Sequence, residues 1–183
     1  VGESVLLPYL LDRNINCLDY VFISHFDTDH YGGLLYLMEN IRIKTLIFLE
    51  QTKESQEYQE VIEIVNQNKI KVQTLKAGDR IELEDDIIIE VLYPTNEKFE
   101  DQNNNSMVLK LNYGKFKMLF TGDIEQKAEK MLLEQKIDVS ATILKIAHHG
   151  SKSSTTEEFL KKVNPRIALI GVGKNNFGHP SEE

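Results

Sequence analysis

Four side chains able to bind a metal ion crowd into six residues near the N-terminus: His25, Asp27, Asp29 and His30, in the run Ser24-His25-Phe26-Asp27-Thr28-Asp29-His30. Imidazole nitrogens and carboxylate oxygens together suit zinc, manganese or iron. The run follows directly on Asp19–Ser24, a β-branched and aromatic stretch that reads as a buried strand. An irregular turn after a strand can aim alternate side chains at one point. A single aspartate here would make an ordinary helix N-cap, but two histidines flanking two aspartates have no capping purpose. Gly32 and Gly33 follow and are expected to allow tight backbone passage into a helix over 32–39.

Three further segments carry groups of the same kind. Leu119-Phe120-Thr121-Gly122-Asp123 places a carboxylate at a strand end, where it is either a turn residue or a group whose two oxygens bridge two cations. Lys145-Ile146-Ala147-His148-His149-Gly150-Ser151 places adjacent histidines at another strand exit. They cannot both face the same way. One is expected to be a ligand, and the other to line the pocket, donate a proton or orient its neighbour. Gly178-His179-Pro180 supplies a last histidine, either a final ligand, a phosphate contact or a tail residue. Ser151 to Thr156 combines five hydroxyls with Lys152. Thr155 followed by Glu158 fits a capping box for the next helix, and a helix start with hydroxyls and a lysine is also an anion site, where a substrate phosphate would rest on Ser151 and Lys152.

The elements that must position these groups alternate along the chain. Val5–Leu11 reads as a short helix or turn, 44–49 and 70–75 as strands, and 55–67 as an amphipathic helix. Strands are expected at 80–83, 86–93, 107–113 and 115–121, with a tight hairpin at Tyr113-Gly114-Lys115 and a polar loop over 96–106. Helix 124–135, strand 141–147, helix 156–163 and strand 167–172 follow. No linker or repeat interrupts this, so one mixed, layered domain over 1–183 is expected.

Composition narrows the class. The chain has 183 residues, 41% hydrophobic and 27% charged, with a net charge of −8. That is ordinary for a folded domain and argues against a general nucleic-acid-binding surface. The lone cysteine, Cys17, excludes an intrachain disulfide framework and a multi-cysteine metal site and reads as a packed residue. No apolar run approaches the roughly 18 residues of a membrane helix. No P-loop or Gly-x-Ser-x-Gly elbow is present. The start at Val1, without an initiator methionine, suggests a fragment.

The motifs together resemble those of the metallo-β-lactamase fold hydrolases, whose first motif reads His-x-His-x-Asp-His; here Asp27 stands at the second histidine's place. That variant, with Gly32-Gly33 after it and Pro8-Tyr9-Leu10 before it, looks most similar to the C-terminal hydrolase domain of the ComEC-like DNA-internalisation competence proteins. The resemblance implies an α/β fold, the four-layer αββα sandwich, with further strands before Val1. It implies two divalent metal ions, zinc or manganese, held by His25, Asp27, Asp29, His30, Asp123, His148 and His179. His25, Asp27 and His148 would form one position, Asp29 and His30 the other, completed by His179, with Asp123 shared. Asp29, Asp123 and His149 are then the catalytic candidates. Asp27 makes the site more oxygen-rich, which favours manganese or mixed occupancy. No histidine lies between His30 and His148, and an Asn-Ser pair such as Asn105-Ser106 stands where many members carry another ligand. It is expected to hydrogen-bond water or substrate, although without the family the asparagines are simply a turn.

The implied activity is phosphodiester hydrolysis, in DNA, of the strand that is not imported. Alternatives are a small-molecule hydrolase of a lactone, thioester or β-lactam, and a non-catalytic module of a membrane DNA-uptake protein. In a competence protein the domain would be joined to a membrane channel and lie on the extracytoplasmic side; otherwise it would be soluble. The net charge of −8 would repel a polyanion, so capture would rest on the metals, Lys152 and Lys174.

Overall fold

Strand-forming runs separated by amphipathic stretches become parallel strands joined by helices in the first part of the computed structural model, which describes residues 1–50, 55–84, 86–95 and 99–182. Residues 96–98 of the loop expected over 96–106 lie outside the described residues. The chain divides into two compact units, Val1–Leu75 and Lys76–Glu183.

The first unit opens with a π-helical turn, Gly2–Leu6, that runs into α1 (Leu7–Asp12). Strands β1 (Cys17–Phe22), β2 (Arg42–Leu49) and β3 (Lys71–Leu75) then alternate with helices α2 (Thr28–Asn40) and α3 (Gln56–Gln67). The sheet order is β1-β2-β3 and both pairings are parallel. β2, in the middle, carries the deepest residues, Leu46, Ile47 and Phe48. β1 is an edge strand with Asp19 and Tyr20 exposed, not the buried strand that its composition suggests, because it has a neighbour on one side only. α2 starts at Thr28, so Gly32 and Gly33 lie inside a helix and make no tight turn. Their helical position serves packing: a Cβ on Gly2 would lie 2.2 Å from the Gly33 carbonyl oxygen, so the N-terminal turn and α2 touch backbone to backbone.

The second unit holds β4 (Arg80–Glu84), β5 (Ile87–Tyr93), β6 (Val108–Tyr113), β7 (Phe116–Phe120), α4 (Gln126–Glu134), β8 (Ile143–Lys145), α5 (Glu157–Val163) and β9 (Ile167–Leu169). Its sheet runs β4-β5-β6-β7-β8-β9. Pairing is antiparallel as far as β7 and parallel beyond it. The switch follows from the connections: Gly114-Lys115, with Gly114 at φ +55°, closes a two-residue hairpin, whereas α4 and α5 supply crossovers. β8 and β9 are three residues each, shorter than their apolar runs, because the chain leaves the sheet early to form the loops that carry polar groups. The expected capping box shifts by one residue: Thr156, not Thr155, caps α5 through Phe159 N–H at 3.3 Å.

Each unit has its own core. In the first, Phe26, Phe48 and Tyr58 pack edge to face around Val61 and Val65. In the second, Leu119 and Leu144 of the sheet meet Leu132 of α4 and Phe159 of α5. Lys110 of β6 is 2% exposed, and its Nζ donates to Asp138 Oδ2 at 2.7 Å and to the Asp138 carbonyl at 2.9 Å. The Lys110 ammonium, seconded by Ser140, holds the Asp138 carboxyl well below the usual carboxylate range. A folded-state pKa below the unfolded value adds stability above about pH 4–5 that is lost as pH falls. Asp138→Asn should cost about 1–3 kcal/mol at pH 7, and urea titrations should show the variant approaching the parent's stability as pH drops to 3.

Candidate metal centre

In both units the chemically useful side chains follow the carboxyl ends of parallel strands, the position where open α/β sheets bind ligands. Each donor run is anchored by one buried apolar residue: Phe26 between His25 and Asp27, Ile124 after Asp123, and Ala147 before His148. The anchors fix the backbone, and the polar residues on either side are turned out of the core.

In the first unit, Ser24 Oγ lies 3.1 Å from His25 Nδ1 and 3.3 Å from His30 Nδ1. A hydroxyl oxygen can accept from two Nδ1–H groups, which leaves both Nε2 lone pairs for a cation. His25 Nε2 is 3.5 Å from Asp27 Oδ2, and His30 Nε2 is 3.6 Å from Asp29 Oδ2. The two imidazole rings lie 4.1 Å apart. Asp27 occupies the N-cap position of α2 without a side-chain capping bond, so its carboxylate does not do the work an ordinary cap would do. Two nitrogens and two carboxylates on the loop after β1 and the first turn of α2 form the donor set that suits a divalent transition metal.

In the second unit, β7 ends at Phe120 and the chain passes through Gly122, at φ +54°, to Asp123, which is 3% exposed. Ser106 Oγ accepts from Asp123 N–H at 3.1 Å. His148 and His149 both adopt left-handed backbone, with φ 47° and 56°. A left-handed pair splays successive side chains apart, and the histidines find different partners. His149 Nδ1 is 2.6 Å from the Gly171 carbonyl, so it carries the proton and leaves Nε2 as the electron-pair donor, 3.4 Å from Asp123 Oδ2. His148 Nδ1 lies 3.1 Å from Glu125 Oε1, and its ring lies 5.4 Å from that of His179.

His179 is docked. Ser181 N–H donates to the Gly150 carbonyl at 2.8 Å, and a Cβ on Gly150, at φ +78°, would fall 2.8 Å from Pro180 Cβ. Glycine is required at 150 both for its conformation and for this contact.

Several expected substrate contacts are used internally. Asn105 spends its amide on the Phe99 carbonyl and N–H and on the Asp101 carbonyl, so it holds its own loop. Ser106 holds Asp123, and Ser151 Oγ bonds Ser153 Oγ at 2.9 Å. The anion site expected at the start of α5 is filled by the protein's own carboxylate. Buried Glu129 of α4 accepts from Thr155 N–H, from Thr156 N–H at 2.9 Å and from Thr156 Oγ1 at 2.7 Å. Burial raises the Glu129 pKa, and these hydrogen bonds partly offset it. Lys152 remains exposed.

Sequence reasoning gave no role to Ser24, Asn104 and Glu129, and placed Glu125 only as an acid near the site. Asn104, 1% exposed, accepts through Oδ1 from Glu125 N–H at 3.1 Å and Ala128 N–H at 3.2 Å, and so caps the start of α4. Glu125 Oε1 also accepts from Ser153 Oγ at 2.7 Å. Only Glu125 left a trace in the sequence, as a second acid two residues after Asp123.

These features define a class. Residues 2–174 match the metallo-β-lactamase superfamily, and the chain belongs to that superfamily. It is a hydrolase domain with the metallo-β-lactamase α/β fold, and proteins of this superfamily generally bind divalent metals. Among its relatives, ComE operon protein 3 of Bacillus subtilis (strain 168) is 32% identical over 184 residues, covering 100% of this chain and 24% of that protein. Recombination protein 2 of Haemophilus influenzae is 30% identical, covering 96% of this chain and 20% of that protein. Competence protein ComA of Neisseria gonorrhoeae is 27% identical, covering 99% and 24%. The chain thus spans about a quarter of the length of these relatives. Among solved structures, a variant of the CmlA β-hydroxylase superposes with a TM-score of 0.59 at 10% identity, over 84% of this chain and 36% of that one. Igni18, a metallo hydrolase from Ignicoccus hospitalis, gives 0.54 at 16% identity, over 82% and 61%. These likenesses show the fold alone.

The Glu129 bonds can be tested without any substrate. Glu129→Gln should destabilise by about 1–3 kcal/mol, because its amide NH₂ would face groups that donate. Thermal unfolding would show the loss, and a variant as stable as the parent would contradict the assignment.

Proposed function

We propose that the chain is one metal-dependent phosphodiesterase domain acting on DNA. The observation that carries the hydrolytic part is the pairing of buried Asp123 with a histidine of fixed tautomer, His149, after adjacent parallel strands. Similarity along nearly the whole chain to proteins named for recombination and competence supports DNA as substrate and a role in its uptake. The same similarity supports a longer parent protein with a membrane component, although no helix among the described residues is long and apolar enough to cross a membrane.

The ligand set we favour is His25, Asp27, Asp29, His30, Asp123 and His149. His149 replaces His148 as ligand, on the strength of its 3.4 Å approach to Asp123. Two divalent cations held there would supply Lewis acidity and a water made nucleophilic at neutral pH. Zinc and manganese both suit the donors, and the carboxylate at Asp27 favours manganese. Ser24 holds the rings of His25 and His30, and the Gly171 carbonyl holds that of His149. His148, its Nδ1–H held by Glu125, is left with an Nε2 that accepts a hydrogen bond or proton from the reacting side, with His179 beside it. Lys152 contributes charge to a phosphate.

Purified protein should cleave single-stranded DNA with Mn²⁺ or Zn²⁺ and stop when the metal is chelated. Asp123→Ala should lose both bound metal, by elemental analysis, and cleavage. Glu125→Ala should keep its circular dichroism spectrum and lose about 10–100-fold in activity. Absence of cleavage with metals shown bound, alongside turnover of a lactone or thioester, would replace DNA with a small-molecule substrate.

A further inference from the structure

Phe177 is 83% exposed, the most exposed aromatic side chain among the described residues. Its position is set by its own loop. Asn175 Oδ1 accepts from Phe177 N–H at 3.0 Å and from His179 N–H at 3.2 Å, while Asn175 Nδ2 donates to the His179 carbonyl at 2.8 Å and to the Gly173 carbonyl at 2.9 Å. The loop therefore closes on one asparagine and leaves the ring outside. The Phe177 ring lies 6.1 Å from that of His179 and within 24° of parallel to it. From there a file of rings leads inward: His179 to His148 at 5.4 Å, His148 to His149 at 6.4 Å, and His149 to Asp123 at 3.4 Å.

A large exposed apolar ring on a backbone held by Asn175, at the outer end of a file that ends on the site carboxylate, suits a partner with a flat apolar face. Lys174, exposed and three residues earlier, adds positive charge beside it. A nucleic-acid strand offers both a π-face and phosphates, and base stacking on aromatic side chains tolerates any sequence. Lactones, thioesters and β-lactams do not offer this pair of features in general. We infer that Phe177 is a stacking platform for an unpaired nucleobase of a single strand whose phosphate lies at the metal site. The inference rests on the phosphodiesterase reading for the placing of that phosphate, and it adds a requirement for an unpaired base.

The chain contains no tryptophan, so Phe177→Trp installs a single reporter that also preserves stacking. Its emission should be quenched on titration with an oligothymidylate in a buffer where Ca²⁺ replaces the catalytic metal, which keeps positive charge at the donors. An oligomer of the same length made of abasic sugar-phosphate should not quench it. Phe177→Ala should bind the oligothymidylate about tenfold more weakly than the parent, by anisotropy of a labelled strand. Equal affinity of Phe177→Ala and parent, or equal quenching by the abasic strand, would overturn the inference. Base-dependent quenching without cleavage when metal is restored would sustain it and count against the nuclease reading. Cleavage with unchanged affinity in Phe177→Ala would do the reverse.

Discussion

Of three carboxylates that follow β7 in quick succession, two hold the loop that leaves β8 and the third faces one of its histidines. Asp123 faces His149, Glu125 takes His148 and Ser153, and Glu129 takes the backbone of Thr155 and Thr156. The loop needs holding. His148, His149 and Thr155 all sit at positive φ, a conformation that costs a non-glycine residue about 1–2 kcal/mol. Acceptors at Glu125 and Glu129 offset that cost, and their spacing from the N-cap into α4 sets where each piece of the loop must be. The polar groups useful for chemistry and the groups that keep the loop in shape are thus one series, running from the strand end into the first turns of the helix.

The same economy appears in the first unit. Ser24 serves two histidines with one oxygen, and Phe26 secures the loop by packing against Phe48 and Tyr58. Donors on such a loop inherit the rigidity of a packed aromatic cluster. Lys145 shows the opposite pressure: burial lowers its pKa and Asp123 pulls it back up, while its Nζ bonds the Ile146 carbonyl at 2.7 Å. A cation is tolerated in this half-buried place because a carboxylate and a carbonyl share its charge.

Much of this was legible in the chain itself. Runs such as 44–49 and 115–121 announce strands by composition, and His25 through His30 announce a cluster of donor side chains because no structural need would gather those residues. Asp123 and the histidine pair were visible for the same reason. The choice between His148 and His149 was not, because it depends on a left-handed backbone that nothing in two identical side chains encodes. Glu129 is one acid within the expected helix 124–135, with nothing in the sequence to single it out, and only the fold turns it inward. Ser24 and Asn104 each act through two hydrogen bonds made by one oxygen, to groups distant or unremarkable in sequence. The glycines at 32 and 33 were read as a turn, whereas Gly33 serves close packing, since a small residue marks either. Thr155 and Thr156 are chemically alike, and the choice of cap between them falls to Glu129.

The loop closed by Asn175 bears on how a partner would be received. A ring on a floppy tail must surrender its freedom on contact, and that loss is subtracted from every favourable term in association. Here four hydrogen bonds between backbone groups and one asparagine side chain, with Pro180 seated on Gly150, settle the conformation during folding. The entropy of ordering is charged to the stability of the protein rather than to the encounter. A modest contact at Phe177 can therefore be brief and still selective.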